Sequence, residues 1–324
     1  MSAVTPARPA VTPESSAPAR PGPQPGPGTG QTPLPASPAR PTNAVTRTAQ
    51  PAPPEGPEGF RRPRPRPAPR RSPNPAVSVI VPTRNEARNL EIVLPAIAAV
   101  RPAVHEVIVV DGNSTDNTVA VARRTLPWAR VITQTRKGKG NAMACGFTAA
   151  TGDVLVMFDA DGSADPNEIP GFVDALVNGA DFAKGSRFCK GGGSDDITLL
   201  RKSGNAGLNT VANRLFGTKY SDLCYGYNAF WADLLPQLEL PDPAAPQPED
   251  GSMLWGDGFE IETVLNCRVA AAELKITEVP SVERERMFGE TNLRTFADGT
   301  RVLRTLMSEH RRMEQRRKAS GYAR

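Results

Sequence analysis

The fold is decided by a short stretch, Asp153–Asp161, which reads DVLVMFDAD. Its apolar residues, Val154–Phe158, are typical of a strand that is buried on both faces. Two aspartates, Asp159 and Asp161, follow at the carboxyl end of that run. The pattern therefore predicts an interior strand that presents two carboxylates at one edge of a sheet.

Segments of the same kind alternate with helical patterns upstream of this stretch. Strands are predicted at Val77–Val81, Val104–Val110 and Arg130–Gln134. Helices are predicted at Glu86–Val100, Asp116–Thr125 and Gly140–Ala150. This alternation predicts an α/β fold, with a central, mostly parallel sheet and helices on both of its faces.

The downstream half is less regular, and its pattern mixes strands, helices and loops. Strands are predicted at Phe182–Arg187 and Leu274–Val279. Helices are predicted at Leu199–Phe216, at Phe259–Ala271 and, as one or two helices, within Asn292–Lys318. The segment Leu235–Gly251 is rich in proline and acidic residues and predicts an exposed insertion.

Each of the first four strands is followed by a polar cluster. The clusters are Arg84–Glu86, Asp111–Ser114, Arg136–Lys139 and Asp159–Asp161. Ligands of open α/β sheets bind beyond the carboxyl ends of the strands. The four clusters therefore predict a binding site along that rim.

The Asp159-Ala160-Asp161 triplet has the chemistry of a divalent metal site. Carboxylate oxygens are the ligands that Mg²⁺ and Mn²⁺ prefer, and such an ion neutralises a diphosphate as it departs. The ordinary alternative is a solvated turn, or a helix cap ahead of Pro166. The position of the triplet on the predicted rim favours the metal site.

Two other clusters suggest contacts with a nucleotide. Asp111 follows a strand and opens a helix, where a carboxylate can accept hydrogen bonds from a base or a ribose, although an ordinary turn with a helix cap is also possible. Lys137 and Lys139 flank Gly138 and supply cations and backbone N–H groups for a phosphate. The spacing of an ATP-binding P-loop and a GxGxxG dinucleotide motif are both missing.

Composition divides the chain into three parts. Residues 1–75 are rich in proline, alanine and arginine and predict a disordered tail, because they contain too few apolar residues to form a core. Residues 76–310 form the predicted domain, and residues 311–324 form a basic C-terminal end. The tail carries a charge balance of roughly +7, against a net charge of +5 for the chain, so the domain is near neutral to slightly acidic and no nucleic acid is expected as a partner.

The remaining sequence features exclude several classes of protein. The four cysteines are far apart and form no CxxC pair, which argues against a zinc site and fits a reducing cytoplasm. No apolar run is long enough for a transmembrane helix, and the N-terminus lacks the apolar core of a secretory signal. The expected location is cytoplasmic, with possible peripheral contact at the inner membrane face.

Five motifs then occur in a fixed order along the chain. They are Pro82–Glu86, Val110–Asp116, Lys137–Ala142, Asp159–Asp161 and Gly185–Arg187. Together they resemble the family 2 glycosyltransferases of GT-A fold, over about residues 77–306. Within that family the chain is most similar to the dolichyl-phosphate mannose or glucose synthase group.

The resemblance implies roles on the donor side of the site. Pro82, Glu86 and Asp111 would hold the nucleoside, and Lys137 and Lys139 would lie near its base or phosphates. Asp159 and Asp161 would bind Mg²⁺ or Mn²⁺, with Asp161 as the more direct ligand. Arg286 would approach the donor diphosphate, which belongs to a nucleoside diphosphate sugar of the GDP-mannose or UDP-glucose type.

On the acceptor side, the resemblance implies a phosphate held by Arg187, Arg201 and Ser203. The reaction would be the inverting transfer of a hexose to a polyprenyl phosphate. Asn228 departs from the family pattern, which usually has a basic residue there, and this leaves the acceptor open. Two alternatives to this function remain open. One is the same enzyme class with a soluble sugar, acid or metabolite as acceptor, and the other is a non-catalytic nucleotide-sugar-binding protein.

Overall fold

A computed structural model describes residues 71–195, 197–289 and 295–319 of the chain. The predicted disordered tail therefore lies outside the described residues, except for residues 71–75. Within the described ranges, no helix is both long enough and apolar enough to cross a membrane.

The strands confirm the predicted α/β architecture. In chain order they are β1 (Val77–Thr83), β2 (Glu106–Asp111), β3 (Arg130–Thr133), β4 (Val154–Met157), β5 (Phe182–Ser186), β6 (Gly193–Ser194), β7 (Asn228–Trp231), β8 (Ile276–Pro280) and β9 (Val282–Glu283). Seven of them form one sheet in the order β3-β2-β1-β4-β7-β5-β8, and β6 pairs with β9 in a small second sheet.

The helices lie between these strands. In chain order they are α1 (Ala87–Ala99), α2 (Thr118–Thr125), α3 (Lys139–Ala149), α4 (Ile169–Val177), α5 (Leu199–Phe216), α6 (Leu235–Leu238), α7 (Ile261–Ala271) and α8 (Thr295–Ala319). Two short 3₁₀ helices, Pro166–Glu168 and Ala232–Leu234, precede α4 and α6. Helix α4 was not predicted, and the predicted exposed insertion Leu235–Gly251 begins with α6, in which Leu238 is fully buried.

The parallel part of the sheet explains why the polar clusters meet. Strand β1 pairs in parallel with β2 and with β4, and β2 pairs in parallel with β3. Their carboxyl ends therefore lie along one rim, as the alternation of strands and helices predicts. Both faces of the sheet are covered, so β2 and β4 are buried along their entire lengths.

Three strands were not predicted, namely β6, β7 and β9, and β7 runs in the opposite direction to its neighbours. Strand β7 is antiparallel to both β4 and β5, with Met157 opposite Asn228 and Lys184 opposite Asn228. Its amino end, rather than its carboxyl end, thus lies at the rim. The residues just before β7 therefore enter the binding rim from the other side.

Both predicted domain boundaries fall where the structure has packed residues. Arg71 donates hydrogen bonds to Asp181 and Asp233, and its guanidinium lies 5.1 Å from the centre of the Trp231 ring. Helix α8 continues through residue 310, and Met313 is buried. The packed unit thus extends past residues 76 and 310 at both ends.

Candidate active site

A cavity of about 1190 Å³ opens at the carboxyl rim of the parallel strands. It is lined by residues from all four predicted clusters, among them Glu86, Gly112, Lys139, Asp159 and Asp161. Pro82, Arg187, Arg201 and Arg286 also line it. Most residues singled out from the sequence therefore meet in one cavity.

Asp159 shares a cation with a glutamate from another element. The Lys139 ammonium lies 2.8 Å from Asp159 Oδ1 and 2.6 Å from Glu262 Oε1. Lys139 begins helix α3 and Glu262 lies in the first turn of α7, so two helices contribute to this bridge. Burial alone would lower the pKa of Lys139, but the two carboxylates raise it well above its ordinary value.

Asp161 is held in a matching arrangement. The Arg286 guanidinium lies 3.3 Å from Asp161 Oδ2 and also donates to Glu86 Oε1. Burial raises the pKa of Glu86, and the hydrogen bond from Asn89 and the charge of Arg286 oppose that change. Asp161 thus contacts Arg286 much as Asp159 contacts Lys139.

The segment that carries Arg286 is fixed beside the aspartates by its backbone. The Met287 N–H donates to the carbonyl of Asp161, and the Arg284 N–H donates to the carbonyl of Ser163. The other oxygen of Asp161, Oδ1, accepts from the N–H and the hydroxyl of Ser163. These contacts keep Arg286 close to the aspartates despite the long separation in sequence.

The lining of the cavity also contains a guanidinium that two carboxylates orient. Arg187 donates to both oxygens of the buried Asp222 and, through Nη1, to Glu283 Oε2. Burial alone would lower the pKa of Arg187, whereas Asp222 and Glu283 raise it. Three of its five N–H donors are engaged in these bonds, so the group is rigidly placed at the cavity surface.

A buried lysine lies near this guanidinium. Lys184 in β5 is fully buried, and its ammonium donates to the carbonyls of Gly185 and Tyr225. Burial lowers the pKa of Lys184 to about 8. Sequence analysis treated Lys184 as an ordinary strand residue, because a lysine in a short strand usually faces solvent.

Three predicted site residues do not line the cavity. Lys137 and Ser203 are exposed, and the Ser203 hydroxyl donates to the carbonyl of Leu200 one turn earlier in α5. Asp111 is buried, and its carboxylate accepts the Ser114 N–H, so it shapes the turn beside Gly112. Asn228 is fully buried in β7 and donates to the carbonyl of Gly226.

The turn that carries Lys139 is clamped by a distant loop. Gly138 has a φ of +124°, and a Cβ there would lie 2.1 Å from the carbonyl oxygen of Asp257. Asp257 is itself fully buried and forms a salt bridge with Arg136 at 2.7 Å. Only glycine fits this close approach, so the Gly138–Lys139 turn and the loop before α7 position each other.

Gly226 forms the floor beneath the first carboxylate bridge. A Cβ added at Gly226 would lie 3.4 Å from Asp159 Oδ2, 3.4 Å from Glu262 Oε1 and 3.6 Å from Lys139 Nζ. A larger side chain would enter the space of all three groups. The loop before β7 therefore lies beside Asp159, Glu262 and Lys139.

The donor set fits a divalent ion that takes part of its coordination from a ligand. Within the described ranges, no three His, Cys, Asp or Glu side chains cluster closely enough to hold a metal alone. Asp159 and Asp161 both line the cavity, with side chains 37% and 23% exposed. Mg²⁺ in phosphate-transfer sites is commonly held by one or two carboxylates, waters and phosphate oxygens.

Comparison with known proteins identifies the family of this chain. A profile described as "Glycosyl transferase family 2" matches residues 78–238. A dolichyl-phosphate hexose transferase of Haloferax volcanii is 30% identical over 231 residues, which cover 71% of this chain and 92% of that protein. The chain belongs to glycosyl transferase family 2. A dolichol-phosphate mannosyltransferase of Pyrococcus furiosus is 33% identical over 222 residues, and the chain spans 59% of its length.

Solved structures confirm that this glycosyltransferase has the GT-A fold. Glucosyl-3-phosphoglycerate synthase of Mycobacterium tuberculosis, crystallised with Mn²⁺, UDP and phosphoglyceric acid, superposes with a TM-score of 0.55. The two chains are 23% identical, and the match covers 73% of this chain and 78% of the other. The resemblance to the dolichyl-phosphate mannose or glucose synthase group is confirmed by the curated relatives.

Sequence analysis of this glycosyltransferase missed the partners of its site residues. Glu262 pairs with Lys139, and Asp222 and Glu283 pair with Arg187, but none of these three carboxylates was predicted in that role. A carboxylate in a loop or at a helix start is common, so no local pattern distinguishes these three. The acidic residues at the start of α7, Glu260 and Glu262, were the sequence feature that pointed to a site there.

Proposed function

We propose that this enzyme moves a hexose from a nucleoside diphosphate sugar to a polyprenyl monophosphate, with inversion at the anomeric carbon and with Mg²⁺ or Mn²⁺ bound. One observation carries the proposal. The same cavity is lined by two aspartates with their paired cations and by two further arginines, Arg187 and Arg201. That set of charges suits two phosphate-bearing substrates bound in one cavity.

On the donor side, each residue has a distinct task. Asp159 and Asp161 would hold the divalent ion, which offsets the charge that develops on the departing diphosphate. Lys139 and Arg286 are the cations closest to these aspartates and would contact the diphosphate oxygens. Pro82 and Glu86, which line the same cavity, would contact the nucleoside.

On the acceptor side, the reaction needs no strong base. The second pKa of a phosphate monoester is about 6, so the acceptor oxygen is already largely ionised at neutral pH. That oxygen forms a bond to the anomeric carbon from the side opposite the diphosphate. The bond between the anomeric carbon and the diphosphate breaks, and its electron pair leaves with the diphosphate. Arg187 and Arg201 would position the acceptor phosphate for this attack.

The lining of the acceptor side favours a lipid. Ile197, Leu208 and Val302 line the cavity together with Arg201, so an apolar chain and a phosphate can both be accommodated. The curated relatives carry the names dolichyl-phosphate hexose transferase and dolichol-phosphate mannosyltransferase, which describe isoprenoid acceptors of this kind. A soluble phosphorylated acceptor would make no use of the apolar wall.

Exposed apolar residues also support peripheral contact with a membrane. Leu199 and Leu200 at the start of α5 are 86% and 54% exposed, and they precede Arg201 and Lys202. Apolar side chains beside cations are typical of surfaces that rest on anionic lipid. Such contact would bring the acceptor wall close to its substrate.

Transfer assays test the proposal directly. The full chain is incubated with GDP-mannose or UDP-glucose, with Mn²⁺, Mg²⁺ or a chelator, and with either undecaprenyl phosphate or a soluble phosphate monoester. Transfer to the lipid that requires the metal and is lost in Asp161→Ala is the expected result. Transfer to the soluble acceptor alone would overturn the lipid assignment, and binding without any transfer would indicate a non-catalytic protein.

A further inference from the structure

The two aspartates are each bridged to a glutamate by a cation, and the two bridges are built alike. Lys139 connects Asp159 with Glu262, and Arg286 connects Asp161 with Glu86. The four carboxylates come from three parts of the chain, because Asp159 and Asp161 belong to the same turn after β4. Each bridge therefore offers its cation two positions, one on an aspartate and one on a glutamate.

The first bridge is closely enclosed. The side chains of Lys139 and Glu262 are 16% and 12% exposed, and Gly226 packs beneath them. Electrostatic attraction is strong in such a place, because little water is present to screen it. We therefore expect Lys139 to stay bound to Glu262 when another cation takes its place on Asp159.

The charges of the two bridges do not cancel. Four carboxylates face two cations, which leaves an excess of two negative charges in this set. A diphosphate is itself anionic and is repelled by that excess. One divalent ion supplies the missing charge, so its binding and that of the diphosphate are expected to reinforce each other.

We propose that Lys139 and Arg286 occupy the two aspartates until a divalent ion takes them, and that both cations then turn to the donor diphosphate while Glu262 and Glu86 keep them in the cavity. The inference rests on the proposed function, since it assumes that Asp159 and Asp161 receive the metal. It assigns Glu262 a positioning role that acts through Lys139. The exchange makes the donor bind well only after the metal.

The exchange predicts opposite effects from two neighbouring substitutions. Lys139→Met removes a cation that competes with the metal, so Mn²⁺ alone should bind roughly fivefold more tightly. Glu262→Gln removes a negative charge, and Lys139 then pairs with Asp159 alone. Mn²⁺ alone should therefore bind more weakly by a similar factor. A role confined to packing would weaken binding in both variants, so the opposite signs identify the exchange.

The experiment uses the full chain and two probes. Free Mn²⁺ is measured by electron paramagnetic resonance during titration of the wild type, Lys139→Met, Lys139→Arg, Glu262→Gln and the control Lys219→Met. Lys219 is exposed and lies outside the cavity lining. Binding of GDP and UDP to each protein is then measured by calorimetry, with and without Mn²⁺.

Several results would support the exchange. In the wild type, Mn²⁺ should tighten binding of one nucleotide at least about tenfold, which is the size of an ordinary coupling between two sites. Lys139→Met should bind that nucleotide more weakly in the presence of Mn²⁺, although it binds Mn²⁺ itself more tightly. Lys139→Arg keeps the charge and should therefore not bind Mn²⁺ alone more tightly than the wild type does, and Lys219→Met should behave like the wild type.

Other results would overturn it, and they can be told apart from a failure of the proposed function. If wild type binds Mn²⁺ and a nucleotide but Lys139→Met leaves the Mn²⁺ affinity unchanged or lower, the exchange is wrong and the function stands. If a nucleotide binds equally well with and without Mn²⁺, the two cations replace the ion and the exchange is wrong. If the wild type binds neither Mn²⁺ nor a nucleotide, the proposed function and the exchange are both wrong.

Discussion

At the scale of single residues, Glu106 shows how a buried carboxylate is kept charged. Its Oε1 accepts from the Ser78 hydroxyl and from the N–H and hydroxyl of Thr151, and Oε2 accepts from Arg130. Burial by itself raises the pKa of Glu106, but these hydrogen bonds lower it from 4.5 to about 2. The ionised form is therefore favoured in the folded protein.

This pKa predicts how stability depends on pH. The contribution of Glu106 is complete above its unfolded pKa near 4.5 and is lost as the pH falls towards 2. Glu106→Gln should lower the free energy of unfolding by roughly 2–3 kcal/mol at pH 7. Urea unfolding at pH 7, 5 and 4 should show the difference beginning to shrink below about pH 4.5.

A matched control separates ionisation from packing. Glu91 is half exposed and pairs with Arg124 on the surface, so Glu91→Gln should change the stability by under about 1 kcal/mol at any of these pH values. If the effect of Glu106→Gln is as large at pH 4 and below as at pH 7, the carboxylate charge is not its source.

Residues differ in how far their roles can be predicted from sequence. The position of Asp159 and Asp161 in the cavity was predictable, because they follow an apolar strand whose carboxyl end lies at the rim. Glu262 and Asp222 were not, because their roles depend on partners that the fold brings from distant segments. The role of a carboxylate depends on the group that it pairs with, and a single sequence does not show which residues pair.

At the scale of elements, the loop between α6 and α7 depends on one buried ion pair. Arg136 and Asp257 have side chains 1% and 0% exposed, and Arg136 also donates to the carbonyls of Asp242, Pro243 and Ala245. Removing one member of such a pair leaves an uncompensated charge in the interior, which costs several kcal/mol. This pair therefore fixes the loop and the turn that carries Lys139.

The substitution Asp257→Asn tests this dependence. We expect it to lower the free energy of unfolding by roughly 3 kcal/mol and the melting temperature by roughly 6–12 °C. Glu249→Gln alters an exposed carboxylate of the same loop and should leave both unchanged within experimental error. Equal melting temperatures for Asp257→Asn and the wild type would show that the loop is held by its backbone contacts alone.

The elements themselves were predictable to different degrees. Helix α5 was predicted with the bounds that the structure gives, and the four parallel strands were each marked by an apolar run. Strand β7 was missed, because it has only four residues and pairs with strands distant in sequence. Short strands of this kind depend on their neighbours, and local propensity contributes little to them.

At the scale of the whole molecule, helix α8 completes the packing of the second half. Leu306 packs with Ala212 of α5, Leu223 and Cys267 of α7 in a second apolar cluster. Arg268 of α7 donates to Glu309 of α8, which also accepts from Trp255. The sequence placed the end of the domain at residue 310, within this helix.

Two methionines of α8 test where the folded unit ends. Met313 is 5% exposed and Met307 is 40% exposed. Met313→Ala should lower the free energy of unfolding by about 2–3 kcal/mol, whereas Met307→Ala should change it by less than about 1 kcal/mol. Chemical denaturation measures both values. A neutral Met313→Ala would instead place the end of the folded unit at residue 310.

The reversed direction of β7 has a consequence for how such enzymes diversify. The chain leaves the sheet at Ser186 and re-enters it at Asn228, and these two ends are adjacent because β5 and β7 pair side by side. The segment between them carries Arg187, α5 and Gly226. A replacement of this segment must still match β8 and β9 as well as α7 and α8, because Ser221 donates to Glu278 and Arg187 donates to Glu283, whereas the paired strands β1 to β4 can stay unchanged.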